Sequence, residues 1–304
     1  MKEDTIISYF NISWLSEFDG PGKRIVVYLQ GCQLDCAWCH SPQSQPSKSP
    51  LLFFNQFCIG CHRCESACKN NGHIFVNGGH FINRQHCTGC GSCVEACPNS
   101  SCNRNTGALQ LPTKKVEVSS LFKMLKPQLE LVKNSGGITF SGGEPLLQSG
   151  ALAMLAKLCK DMGIHTAVET SGIVEIADAD KLLPYVDTWL VGFRLHQGIN
   201  KEPSPEMESI TYKFLSHISK KEGIEIIGRI PVIPGYTNND DYLTKVKELM
   251  DEFPVNRLEL LPHNPESAHY YKAMGIKPII PYNKELAEST YRYMKESLEI
   301  AILS

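Results

Sequence analysis

The chain has 304 residues, 42% hydrophobic and 20% charged, with a formal net charge of −2. That composition suits a soluble globular protein of one large or two smaller domains, and it excludes a broadly basic nucleic-acid surface. Apolar runs stay far below the roughly 20 residues of a membrane span, and the acidic start Met1-Lys2-Glu3-Asp4 lacks the apolar stretch of a secretory signal.

The first predicted strand, an apolar run over 24–30, follows the segment Asp19-Gly20-Pro21-Gly22. Directly after the strand comes Gly31-Cys32-Gln33-Leu34-Asp35-Cys36-Ala37-Trp38-Cys39-His40, with spacing C-x3-C-x2-C. A four-iron cube normally takes four cysteines, so three leave one iron without a protein ligand. An open metal position is where a substrate or cofactor binds. The competing reading is a three-cysteine zinc site completed by His40.

Twelve of the 13 cysteines fall within 32–102. With no export signal, they argue for metal binding in a reducing cytoplasm and against a disulfide framework. From about 50 to 111 the chain is loop-rich, as expected of a small module in which clusters replace a hydrophobic core. It contains Cys58-x2-Cys61-x2-Cys64-x3-Cys68 and Cys87-x2-Cys90-x2-Cys93-x3-Cys97-Pro98. Both fit the bacterial ferredoxin run, in which the fourth cysteine of each run serves the other cluster. The pattern assigns Cys58, Cys61, Cys64 and Cys97 to one [4Fe–4S] cluster and Cys68, Cys87, Cys90 and Cys93 to a second. A pair of zinc knuckles is the alternative. Cys102 is left over, as a bystander or a substitute ligand. Such clusters could relay electrons, dock a partner, or only hold the insert together.

Beyond the insert, strand-like runs at 137–141, 164–170, 187–193, 225–233 and 257–261 alternate with helical patterns near 119–134, 147–162, 177–184, 206–222, 239–252 and 283–300. Near-continuous apolar strands suit a parallel sheet covered on both faces. The expected architecture is α/β, a (β/α)6 partial TIM barrel interrupted by a ferredoxin-like insert carrying two clusters. The boundaries are 1–49, 50–111 and 112–304. Leu152, Leu155, Ala156, Cys159 and Met162 mark one apolar helix face, so Cys159 reads as a core residue. Active-site residues of such barrels lie after the C-terminal ends of strands. The Cys32–Cys39 loop occupies that position after the first strand, and Ser141-Gly142-Gly143-Glu144-Pro145 after the second. Glycines there let backbone approach a ligand closely, and a carboxylate or carbonyl can accept from an ammonium group. Weaker candidates are Glu169-Thr170-Ser171-Gly172 after the third strand, Arg194, Arg229 and His263. Either arginine could grip a carboxylate, with a structural salt bridge as the alternative.

The cysteine spacing and the aromatic residue before Cys39 resemble the radical S-adenosylmethionine (radical SAM) signature. From about residue 6 to about 275 the chain resembles the glycyl-radical-enzyme activating enzymes, the branch related to pyruvate formate-lyase activase. The resemblance rests on Asp19–Gly22, on Gly31–His40 with Pro42, on the double ferredoxin run, and on Ser141-Gly142-Gly143-Glu144-Pro145-Leu146. It implies three [4Fe–4S] clusters and S-adenosyl-L-methionine, whose amine and carboxylate chelate the open iron on Cys32, Cys36 and Cys39. Cleavage would then yield a 5′-deoxyadenosyl radical that takes hydrogen from a backbone glycine of a partner glycyl radical enzyme. No side chain is required as a general acid or base, because the cofactor carries the chemistry. By the same resemblance Gly142, Gly143 and Glu144 hold the methionine amine, Trp38 packs near the adenine, and Asp19, Gly20 and Gly22 receive the partner's glycine loop. The implied reductant is a flavodoxin or ferredoxin.

Two places depart from the family pattern. Gly192-Phe193-Arg194 stands where Asp-x-Lys is usual, so Gly192 supplies no carboxylate while Arg194 keeps a positive charge. Leu261-Pro262-His263-Asn264 stands where Leu-Leu-Pro-Tyr-His is common. These departures motivate a second reading, a radical SAM enzyme acting on a small molecule or peptide. The ferredoxin runs alone motivate a third, a non-catalytic iron–sulfur electron-transfer protein.

Overall fold

The near-continuous apolar runs form the middle of one eight-stranded sheet in the computed structural model, which describes residues 5–100, 107–195 and 205–299. The chain opens with β1 (Ile6–Ser16) and β2 (Lys23–Leu29). The cysteine-rich stretch follows as β3 (Leu52–Phe53), α1 (Arg63–Ala67), β4 (His73–Val76), β5 (Gly79–Ile82), α2 (Ser92–Ala96) and β6 (Leu109–Gln110). After β7 (Lys114–Glu117) the chain alternates through α3 (Val118–Val132), β8 (Gly136–Gly142), α4 (Ser149–Asp161), β9 (His165–Thr170), α5 (Ile176–Leu182) and β10 (Thr188–Gly192). It ends with α6 (Pro205–Ile218), β11 (Glu225–Val232), α7 (Asp240–Glu252), β12 (Arg257–Pro262), α8 (Ser267–Met274) and α9 (Lys284–Ser297).

The sheet order is β12-β11-β10-β9-β8-β2-β1-β7. From β2 to β12 every pairing is parallel, whereas β1 runs antiparallel to both β2 and β7. The six predicted strands are therefore the parallel ones, and the six predicted helices lie between and after them. The structure adds β1, β7 and α8. As a result Asp19–Gly22 connects β1 to β2 and does not stand ahead of the whole sheet. A continuous core joins both faces, with Leu121, Leu125, Leu152, Leu155, Trp189 and Phe214 from the helices and strands fully enclosed. Cys159 is fully buried among them. Asn239 caps α7 by accepting from Tyr242 N at 2.9 Å, and Asn283 caps α9 by accepting from Leu286 N at 3.0 Å. No helix among the described residues is long and apolar enough to cross a membrane.

β3 and β6 pair antiparallel, Leu52 with Gln110 and Phe53 with Leu109, so the two ends of the cysteine-rich stretch meet. Within it β4 and β5 form a hairpin. Its own apolar cluster is small: Leu51, Cys64, Cys93 and Leu109 are the buried members. The stretch contacts the rest of the chain through α8. Leu52 packs on Ala273 and Met274, and Arg84 donates to Ala273 O at 2.6 Å. Cys102 lies outside the described residues.

Candidate active site

A cavity of about 790 Å³ opens at the C-terminal ends of the parallel strands. Cys32, Cys36 and Cys39 line it, as do Gly142, Gly143, Glu169, Thr170, Arg194, Arg229 and His263. The loop that presents the three thiols is held by its own backbone. Gly31 N donates to Ser44 O at 2.8 Å, Cys32 N to Gln45 O at 3.1 Å and Cys39 N to Cys36 O at 3.0 Å. The Gln30 amide adds bonds to Gln43 O at 2.9 Å and Pro46 O at 2.7 Å. Gly142 extends the pairing of β8 with β2 at φ +118, and a Cβ there would sit 2.3 Å from Leu29 N. Only glycine allows this approach. Gly143 N then donates to Leu29 O and Glu144 N to Gly31 O, at 2.9 and 2.8 Å. The glycine loop and the cysteine loop are thus laced together by main chain.

Glu144 does not line this cavity. Its carboxylate is fully buried and accepts from Thr170 Oγ1 at 2.8 Å, Ser171 N at 2.9 Å, Ser171 Oγ at 2.7 Å and Leu146 N at 3.2 Å. Burial pushes its carboxyl up, and the Ser171, Thr170 and Leu146 donors oppose that. The side chain ties the end of β9 to the glycine loop. Ser171, which the sequence places among the weaker candidates, supplies two of the four bonds.

Arg229 is nearly enclosed between two acids, with ion pairs to Glu259 at 3.1 Å and Glu169 at 3.8 Å, and it donates to Phe18 O at 2.6 Å. Glu169 in turn accepts from Ser141 Oγ at 2.6 Å. No motif in the sequence singles out Glu259, although a lone acid within the apolar run of β12 is a visible signal. Asp19 lines the cavity, hydrogen-bonded to Ser16, with its carboxyl pushed up by burial and by the nearby Glu169. Gly20 and Gly22 shape the turn behind it, and a Cβ on Gly22, at φ +69, would fall 2.2 Å from Ser135 O. Arg24, fully buried, donates to Pro21 O at 3.3 Å and Thr139 Oγ1 at 3.0 Å, which staples that turn beneath the sheet. Burial lowers its guanidinium to about 10.

Arg194 differs from Arg229. Burial disfavours its charge, Cys36, Cys32 and Cys39 as thiolates and Glu144 favour it, and among the described residues no acid is ion-paired with it; its Nε, like that of Arg229, has no hydrogen-bond partner. A guanidinium with a buried, unbonded Nε at a cavity suits an anionic group such as a carboxylate. Burial raises the Cys32 thiol to about 11 and Cys39 to about 12. Such thiols ionise only when strong positive charge is brought beside them, which is what iron provides. Among the described residues, the ligand atoms that gather within 4.8 Å of one another are those of Cys64, His73 and His80; the cavity cysteines form no such set. Trp38 is buried against Tyr236 at 5.7 Å, and His263 stacks on His40 at 6.2 Å. Burial, His263 and Arg194 keep His40 near 4, and its Nε2 has no partner. Gly192 and Asn264 both line the cavity.

Residues 18–215 match the family model described as a 4Fe-4S single cluster domain. The isethionate sulfite-lyase activating enzyme of Desulfovibrio desulfuricans is 31% identical over 277 residues, covering 88% of this chain and 86% of that one. The 4-hydroxyphenylacetate decarboxylase activating enzyme of Clostridium scatologenes is 30% identical, covering 86% of this chain and 83% of that one. The chain belongs to the radical SAM glycyl-radical-enzyme activating enzymes. The indoleacetate decarboxylase activating enzyme of Tractidigestivibacter scatoligenes is 25% identical across 95% of this chain and 93% of that one. A solved radical SAM methyltransferase from Sphaerobacter thermophilus shares the fold, with TM-score 0.50 and 12% identity over 91% of this chain and 63% of that one. Membership makes this activating enzyme a radical SAM oxidoreductase that works with a 4Fe–4S cluster, S-adenosylmethionine and a glycyl radical enzyme as protein partner.

Eight further cysteines of the activating enzyme, those of the two sequence runs, lie in two groups that cross those runs. Cys97 lies in the electrostatic reach of Cys61 and Cys58, and Cys64 in that of Cys58 and Cys97. Cys68 lies beside Cys87, since a Cβ on Gly72 would touch both. Cys68, Cys87, Cys90 and Cys93 surround one small cleft. Every described cysteine is free of disulfides. Beside the first group, His80 lies 3.3 Å from Cys58 Sγ and is held near 4 by burial and by His73.

Proposed function

We propose that Cys32, Cys36 and Cys39 hold the radical SAM cluster, that the surrounding cavity holds S-adenosylmethionine, and that a partner's glycine loop enters beside Asp19. The observation that carries this reading is the meeting of three cysteines, the glycine loop and Arg194, whose Nε is unbonded, in one cavity. The bound cluster and cofactor supply one electron and a 5′-deoxyadenosyl radical, which takes a hydrogen atom from the partner's glycine. This chain's residues position and shield. Arg194 takes the cofactor carboxylate, for which its free Nε and undiminished charge suit it. Gly142 and Gly143 present main chain to the amine, while Glu144 fixes Thr170 and Ser171 from behind. Trp38 offers an apolar wall for the adenine, and His263 with His40 forms a neutral wall opposite. Arg229, bound to Glu169 and Glu259, holds the Phe18 carbonyl and so the approach of the partner segment.

The same reading assigns 1–49 and 112–304 to the radical SAM barrel and 50–111 to a ferredoxin-like insert. Cys58, Cys61, Cys64 and Cys97 would hold one auxiliary [4Fe–4S] cluster and Cys68, Cys87, Cys90 and Cys93 another, for which the crossed grouping speaks. A flavodoxin or ferredoxin would reduce the chain in the cytoplasm. The activating enzymes named above suggest a decarboxylase or lyase as the partner class.

The test is anaerobic reconstitution followed by EPR. About 12 iron atoms per chain are expected from three four-iron clusters. With S-adenosylmethionine, reductant and a glycyl radical enzyme from the same organism, a glycine-centred radical should appear, and Cys36→Ala should abolish it along with cofactor cleavage. Rapid cleavage with no radical on any such partner, and deuterium entering 5′-deoxyadenosine from a metabolite instead, would replace this reading with small-molecule chemistry.

A further inference from the structure

Cys64, His73 and His80 bring three ligand-type atoms together in the insert, all buried. His80 sits on β5 opposite Phe75 of β4. Phe75 stacks on its ring at 4.1 Å and 9°, and Phe53 closes the other side at 4.4 Å. Its Nδ1 is 3.3 Å from Cys58 Sγ, while its Nε2 is 2.9 Å from His73 Nδ1 and 3.8 Å from Cys64 Sγ. The Cys58-x2-Cys61-x2-Cys64 run already commits Cys58 and Cys64 to iron, so the two imidazoles remain as neighbours of the cluster and not as its ligands.

We propose that His80 is a positioning residue for the first auxiliary cluster, donating its Nδ1–H to the Cys58 sulfur with His73 fixing the tautomer, and so raising that cluster's reduction potential. This inference rests on the two-cluster reading of the insert. The polarity follows from hydrogen-bond inventory. A liganding thiolate only accepts, so the nitrogen facing Cys58 carries the proton. A neutral His80 then has a bare Nε2, which must accept from His73 Nδ1–H. Hydrogen bonds to cluster sulfurs stabilise the more negative, reduced state and are among the determinants of potential. His73 lines the cleft of the second group, but among the described residues no imidazole is hydrogen-bonded to its sulfurs; Cys68 Sγ accepts from Gly72 N at 3.2 Å and Cys90 lies 3.6 Å from Ser92 Oγ. Two clusters with equivalent cysteine ligands are thereby made unequal.

The test is a potentiometric EPR titration of the reconstituted full chain and its variants. His80→Phe keeps the aromatic stack and removes the N–H. One auxiliary midpoint should move negative by at least a tenfold change in the reduction equilibrium, about 59 mV for one electron, while the other two clusters stay in place. His80→Asn, which sets an amide N–H near the Nδ1 position, should recover most of the shift. Full iron with unmoved midpoints in His80→Phe would overturn this inference alone. Equal loss of iron in both variants, with residual midpoints unchanged, would also overturn it, leaving His80 a packing residue. Zinc bound at Cys64, His73 and His80, or only about four irons in the parent chain, would overturn the two-cluster reading and this inference with it.

Discussion

Adding one methyl group at Gly143 strikes the point where the two loops of the cavity are joined. A Cβ there would lie 2.1 Å from Gly31 O, 2.7 Å from Gly31 C and 3.2 Å from Ser44 O. All three are main-chain atoms, so no side chain can swing aside. Opening 2.1 Å to the 3.0 Å that real contacts need moves the glycine loop and the cysteine loop apart by close to 1 Å. The same carbonyl accepts from Glu144 N at 2.8 Å, a bond the movement breaks. Overpacking costs about 1–3 kcal/mol and the lost bond about 1 kcal/mol more. Gly143→Ala should therefore lose roughly 2–4 kcal/mol in anaerobic urea unfolding. A displacement near 1 Å between reacting partners costs on the order of 100-fold in rate, so cofactor cleavage per bound cluster should fall by that order. A variant with the parental unfolding midpoint and the parental rate per cluster would refute the claim that these loops are locked backbone to backbone.

Other perturbations probe separate parts of the architecture. Glu144→Ala strands the buried amides of Leu146 and Ser171 and should cost about 2–5 kcal/mol, read as a lower urea midpoint. His165 is held below 6.5 by burial and by Arg24, 3.0 Å away. The unfolded chain then binds the extra proton first, so stability is full above pH 6.5 and falls as the pH drops through that value. His165→Gln should make the slope of stability between pH 7.5 and 5.5 shallower by its one-proton share. Phe18 is 83% exposed at the cavity rim. Phe18→Ser should slow radical transfer to the partner while leaving cofactor cleavage without partner unchanged; equal slowing of both would place Phe18 in cofactor binding instead.

The parallel strands were legible because burial on both faces demands nearly unbroken apolar runs, as in Thr188–Gly192, where every residue is buried. β1 was not, because Ile6–Ser16 is half-exposed and its pairing with β2 shifts register twice, which blurs the alternation. α8 has eight residues with a weak apolar face, and its contacts with the insert come from distant sequence. Spacing alone marked the cavity cysteines, since all three lie within one short loop after β2. Glu144 was legible as important but not as a buried strut. Its partners Thr170 and Ser171 lie on another strand's end, and side-chain direction follows from packing that one sequence does not display. The same holds for Arg229, whose two acids come from β9 and β12.

The sheet never closes into a ring, so two strands are left with unpaired hydrogen-bonding groups along one side. Such borders invite another chain to add itself. Here β7 is four residues long and carries Lys114, Lys115 and Glu117, while β12 carries Arg257 and Glu259 and ends at Pro262. Short length, charge and proline each discourage stray strand addition. Borders of that kind keep copies of the chain from adding themselves to one another's sheet.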